Sequence, residues 1–275
     1  MSKKTRRLLL AVLTAVIVVC VGLPALGVFR VWEHAGAEAR AAQLRQAPPA
    51  TTAVIVHTPK PAPESTPEPT PEPTPSPSPT PKPVLPQYEE LYRQNSDLAG
   101  WLRIDGTVID YPVMYTPEDQ NYYLHLDFDE NESVNGTLFI QYPWHAGNNN
   151  TIIHGHHMKD GSMFGGLDRY ADETYGREHS ILHFDSLTEE GEYELVAAFY
   201  SRVYTDEDGS DVFRYYDYPA LSRQANYEYF VAEVKAAALY DTGITPEYGE
   251  QLITLSTCEY HVQDGRFVVV ARRIN

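Results

Sequence analysis

Cysteine is nearly absent: the chain of 275 residues has two, and one of them, Cys20, lies inside an apolar N-terminal run. Neither a disulfide framework nor a thiolate zinc site can be built from that, because both need more sulfur at set spacings. Basic residues are scarce as well, 21 Lys and Arg against 38 Asp and Glu. The shortage is uneven, since residues 87–275 hold twelve basic and thirty-three acidic side chains, a net charge of −21. Such a surface repels phosphate backbones, which argues against nucleic acid as a partner. No HExxH pair occurs, and no motif calls for a cofactor.

Long hydrophobic runs are equally rare, and the one present organises the chain. Lys3, Lys4, Arg6 and Arg7 lie in Met1–Arg7, and Leu8–Phe29 then runs 22 residues without a charge. A helix of that length is about 33 Å long, enough for a bilayer core of about 30 Å. A cleaved signal peptide has an apolar region of only about 7–15 residues, so the length favours an uncleaved anchor. The basic residues before the run place the N-terminus in the cytoplasm and everything from Arg30 onward outside. Cys20 then serves as a small apolar residue within the membrane. Residues 30–58 form a juxtamembrane segment, rich in Ala, Arg and Gln and suited to a short helix. Residues 59–86 contain thirteen prolines in 28 positions. That composition cannot bury a core and favours extended polyproline II, a spacer of up to roughly 90 Å.

Residues 87–275 have the length of a single domain with its own core. Tyr88–Ser96 is expected to be helical. Short β-type runs follow at Thr107–Val113, Thr137–Gln141, Thr151–His154, Ser180–His183, Tyr193–Tyr200, Gln251–Thr257 and Arg266–Arg272, separated by turn residues. Many short strands indicate a mainly β barrel or sandwich. One helix interrupts them: in Leu221–Leu239, Tyr227, Phe230, Val231, Val234 and Ala238 recur at helical spacing and are expected to pack into the core. Tyr122 and Tyr123 are expected in the core too.

The strand Gln251–Thr257 runs directly into Cys258, the only cysteine after the apolar run. A thiol outside the cell with no partner on its own side is prone to oxidation and needs a reason to be kept. Asp264-Gly265 marks a turn before the next strand. An antiparallel hairpin centred near Val262 sets Cys258 opposite Arg266, with Cβ atoms about 5 Å apart. Thr254, Ser256 and Cys258 then share a face with Arg266, while Ile253 and Leu255 point the other way. A one-residue slip in register would turn the arginine away. Arg272, six residues on, is too far along the strand to reach the sulfur, and Arg273 points oppositely. A thiol nucleophile also needs a proton partner, and His154-Gly155-His156-His157 supplies histidines at the end of a strand. Three histidines in four residues also suit a metal, to which His145, His183 or carboxylates could add. With no second histidine pair at a familiar spacing, no metal is assigned.

At this point the chain resembles the sortases, and among them class B, over most of residues 88–275. Thr254-Leu255-Ser256-Thr257-Cys258 is similar to the family's TLxTC signature, Gly155-His156 to its histidine motif and Gly265-Arg266-Phe267-Val268-Val269 to its arginine strand. Ala99–Thr107, Ile109–Val113, Asn121–Leu124 and Met158–Phe164 also resemble class B sequence. At His154 the relatives often carry Tyr. The resemblance implies a closed β-barrel of sortase type, with N-terminal helices and a later inserted helix. It implies catalytic roles for His156, Cys258 and Arg266, and Ser256, Thr257 and Glu259 are candidate substrate contacts. It further implies a membrane-anchored transpeptidase on a Gram-positive cell that cleaves NPxT-(G/N/S)-type sorting signals of secreted proteins after Thr. The acceptor would be an amine of a peptidoglycan precursor or of a pilin.

Ordinary side-chain values of about 8.5 for Cys and 6.5 for His leave only about one molecule in a hundred as the thiolate–imidazolium pair at neutral pH. A nearby Arg266 would raise that fraction. Two other readings remain: a wall-associated cysteine peptidase that releases the acyl enzyme to water, and a stalked binding module.

Overall fold

The computed structural model describes residues 36, 39–45, 82–145, 148–258 and 263–275, with Cys258 described by its backbone. Among these, eight strands carry the chain: β1 (Leu98–Arg103), β2 (Asp110–Met114), β3 (Leu138–Ile140), β4 (Asn150–Gly155), β5 (Ile181–Ser186), β6 (Glu192–Arg202), β7 (Leu252–Cys258) and β8 (Gly265–Arg273). Their spatial order is β1-β2-β3-β4-β7-β8-β6-β5, and the pairing of β5 with β1 closes the sheet into a barrel. The β2–β3 and β4–β7 pairings are parallel, and the rest are antiparallel. Beside the helical residues 39–45, the barrel is accompanied by α1 (Glu89–Gln94), α2 (Glu173–Glu178) and α3 (Gln224–Ala237).

β7 and β8 are covered on both faces, which is why they read as nearly unbroken apolar runs. Alternation sends Ile253, Leu255, Phe267, Val269 and Ala271 into the barrel interior. It sends Leu252, Val268 and Val270 outward, under Tyr227, Phe230, Val231 and Val234 of α3. The helical stripe read from the sequence is therefore core, each such side chain contributing about 1.5–3 kcal/mol of burial. Ala238 packs at the edge of the same cluster.

Several expectations are corrected. The strand expected from Thr107 begins only at Asp110, because Asp105-Gly106 turn the chain and Val108 stays 53% exposed. β1 went unanticipated, since Gly100 at its centre breaks the β-branched pattern. Glycine is required there because a Cβ would lie 2.2 Å from the Asp185 carbonyl oxygen on β5. The short helix α2 also went unread. Tyr123 is fully buried, with its hydroxyl 3.0 Å from an Asp97 carboxylate oxygen. Tyr122, expected beside it, is exposed and donates instead to Glu130.

The packed unit also reaches beyond residues 87–275. Residues 39–45 are helical, and Ala41 and Leu44 enter buried clusters. Val84 and Leu85, at the end of the Pro-rich stretch, pack against the cluster around Trp101, and the Leu85 N–H donates to the Leu187 carbonyl. Leu8–Phe29 and residues 59–81 lie outside the described residues. Among the described residues no helix is long and apolar enough to cross a membrane.

Candidate active site

β7 places Cys258 at its last position, and the antiparallel register with β8 pairs Cys258 with Arg266, as the hairpin arithmetic anticipated. On its other side β7 runs parallel to β4, with His154 opposite Ser256 and Gly155 opposite Thr257. His156 follows Gly155 directly, one residue past the end of β4, as Cys258 follows Thr257 on β7. Neighbouring strands lie about 4.7–4.9 Å apart, so Arg266, Cys258 and the end of β4 that leads into His156 lie at one rim of the barrel. A cavity of about 650 Å³ opens there, lined among others by His154, His156, Ser256, Thr257 and Arg266.

The His156 imidazole is held by the segment before β3. Its Nε2 lies 2.7 Å from the Leu124 carbonyl oxygen. A carbonyl only accepts, so Nε2 carries the proton and Nδ1 is the nitrogen left for chemistry. The ring stacks on His125 with centroids 5.6 Å apart. Burial pushes the proton affinity of His156 below the ordinary histidine value; the Leu124 carbonyl opposes that and the charge of His125 adds to it. The imidazolium is therefore scarcer at neutral pH than the unperturbed arithmetic implies.

Arg266 donates from Nη1 to the Gly265 and Asp264 carbonyl oxygens, at 2.9 and 3.3 Å, and lines the cavity. Ser256 and Thr257 also line it, yet both hydroxyls are engaged: Ser256 Oγ lies 2.7 Å from the Tyr215 hydroxyl, and Thr257 Oγ1 donates to the Gly155 carbonyl at 2.8 Å. Glu259 lies outside the described residues. His157 stands away from the cavity wall, with Nε2 3.7 Å from the Asp168 carboxylate.

His154, the position where the chain departs from its expected tyrosine, sits in the wall. Gln141 donates its amide to the Tyr216 carbonyl at 2.6 Å, so its oxygen faces His154 Nε2 at 3.0 Å and receives that N–H. Burial first, and then the Arg266 guanidinium, push His154 down to about 4. In the unfolded chain an imidazole titrates near 6.5, so between about 6.5 and about 4 the unfolded state binds a proton that the folded state refuses. Stability from this group is full above that window and declines as the pH falls through it. Between about pH 7.5 and about pH 4.5 the loss is about 2–3 kcal/mol. Urea midpoints at both pH values for wild type and His154→Gln test this, the variant losing correspondingly less. Equal losses would refute it.

The sequence reading missed much of the rest of the lining: His125, Leu124, Gln141, Tyr142, Tyr215, Tyr216 and Asp217. A trace was present, since the Asn121–Leu124 similarity stops one residue short of His125.

Residues 102–274 match a family model described as a sortase domain. Sortase B of Staphylococcus aureus is 31% identical over 195 residues, which is 70% of this chain and 76% of that protein. The structure of sortase B from Bacillus anthracis in complex with AAEK1 superposes with a TM-score of 0.60 at 32% identity, covering 70% of this chain and 86% of that one. A substrate complex of the Staphylococcus aureus enzyme gives 0.62 at 28%, covering 70% and 87%.

Proposed function

The chain belongs to the sortase family, cysteine transpeptidases whose B class contains the relatives it matches, and on that premise we propose the substrate, the residue roles and the location of this member. The carrying observation is the register that sets Arg266 opposite Cys258 and Gly155, the residue before His156, opposite Thr257, the residue before Cys258, with His156 and Arg266 lining one cavity. The Cys258 thiolate attacks the carbonyl carbon of Thr in an NPxT-(G/N/S)-like sorting signal. Arg266 stabilises the oxyanion that forms. The C–N bond breaks as His156, as imidazolium, hands its proton to the leaving amine, and a thioester remains on Cys258. An acceptor amine then gives a proton to neutral His156 and attacks the thioester, expelling the thiolate and forming a new amide. The acceptor is an amine of a peptidoglycan precursor or of a pilin.

The protein is held by Leu8–Phe29, with its N-terminus cytoplasmic and the catalytic domain carried outside on the Pro-rich segment. Support comes from the basic residues of Met1–Arg7, the uncharged run after them and the retained thiol. The test uses full-length protein in detergent with NPxTG and NPxTN peptides, with and without triglycine, read by intact and peptide mass. The expected result is a thioacyl adduct and a triglycine-extended product. Cleavage without transfer would move the assignment to a peptidase, and no adduct with any peptide would return it to a binding module.

A further inference from the structure

The mechanism leaves open what orients His156 and sets its proton affinity, since among the described residues no carboxylate is bonded to it. We infer that Leu124-His125 is the positioning element of the His156 imidazole, the carbonyl of Leu124 selecting its tautomer and the ring of His125 covering its face. Leu124 ends the single 3-10 turn Tyr122–Leu124, where a carbonyl has no helical partner and is free to accept from a side chain. His156 Nε2 takes that acceptor at 2.7 Å, and the next residue lays its ring over the imidazole at an interplanar angle of 25°. One dipeptide thus holds an edge and a face of the same ring.

The backbone behind it is tightly constrained. Gly136 has φ +58, and a Cβ there would lie 2.4 Å from the Leu124 oxygen and 2.8 Å from the Tyr123 oxygen. The carbonyl that holds His156 is therefore backed directly against the chain leading into β3.

His125 is exposed whereas His156 is partly buried, and a proton on His125 sets a positive charge against the stacked ring. That charge opposes a second one on His156. Other groups share the space: His154 from β4, Arg266 from β8 and Asp217 from the turn Tyr215–Asp217 line the same cavity. Of these, Arg266 and Asp217 carry charges of opposite sign. The His125 charge lowers the proton affinity of His156, behind the larger effect of burial.

The experiment uses full-length protein in detergent, labelled with 15N at histidine, with wild type, His125→Gln, His125→Phe and Gly136→Ala. Wild-type His156 is expected as the Nε2-protonated tautomer. In both His125 variants its titration midpoint rises. The ratio of kcat/KM near pH 5.5 to that near pH 7.5 falls about two- to threefold, because the acid limb, where His156 is protonated while Cys258 is still a thiol, moves to higher pH. A purely structural role would lower both rates together and leave that ratio alone. Gly136→Ala displaces the carbonyl, so the Nε2 preference weakens. An unchanged His156 midpoint in both His125 variants, or an unchanged tautomer in a folded Gly136→Ala protein, would overturn the inference. Because this inference rests on His156 acting as the acid, the two readouts separate the failures. A shifted midpoint with an unshifted rate ratio keeps the proton-affinity role and rejects the catalytic assignment of His156.

Discussion

Full-length protein carrying Cys258→Ala is expected to gain no mass on incubation with a sorting-signal peptide and to leave the peptide uncut, a loss of ~10⁴-fold or more. The size follows from the kind of step removed. Without the sulfur no thioester forms, and what survives is binding and oxyanion stabilisation applied to attack by water. Cys258→Ser should fare little better, because a hydroxyl beside a histidine whose proton affinity is already depressed is not ionised at neutral pH. Both variants should keep the wild-type urea midpoint. An adduct that persists in Cys258→Ala would move the nucleophile elsewhere, and Cys20 within the apolar run offers no alternative on the same side of the membrane under the proposed topology.

Arg266→Ala should lower kcat by about 10²–10³-fold with a much smaller change in KM, the range found when a single oxyanion donor is removed. The register of β7 with β8 makes the assignment specific, since Arg266 is the residue directly opposite Cys258. Arg202 on β6 pairs with Gly265 and engages Asp208, and Arg272 engages Glu194 and Glu250 some six residues along β8. Replacing either of those should leave kcat within about twofold, as surface ion pairs contribute little. Arg266→Lys should recover only part of the rate, because an ammonium offers a point charge in place of a planar set of donors. Its pH-rate profile, measured with kcat and KM separated, decides the question. A drop confined to KM would make Arg266 a substrate-binding residue instead.

The acid-side behaviour of the enzyme combines two imidazoles of different kinds. His154 stays neutral because it is buried beside Arg266 and donates to Gln141, so its protonation costs fold stability. His156 remains titratable, and its protonation changes activity. An acid-side fall in rate with an unchanged urea midpoint reports the second, and a fall in the midpoint reports the first.

The legible parts of this protein were those whose cause lies within a few residues of their effect. The Cys258–Arg266 pairing is one, because a hairpin's register follows from the position of its turn and the two residues are equidistant from Val262. The two-faced alternation of β7 and β8 is another, and so is the helical stripe from Tyr227 to Val234, since each repeats at its own period in the local sequence. The family signatures at Thr254–Cys258, Gly155-His156 and Gly265–Val269 are local as well. By contrast, β1 was invisible because its central Gly100 answers to a carbonyl on β5, eighty-five residues away in sequence, rather than to any β preference. The docking of residues 39–45 and of Val84-Leu85 was hidden for the same reason, as it depends on apolar surface that only the closed barrel presents. The adjacency of His156 to Cys258 comes from a parallel pairing of β4 with β7 across about a hundred residues of intervening chain, for which no local signal exists. So too with His125 over His156: composition and spacing determined which residues could do the chemistry, and the tertiary pairing of distant strands alone decided which of them meet.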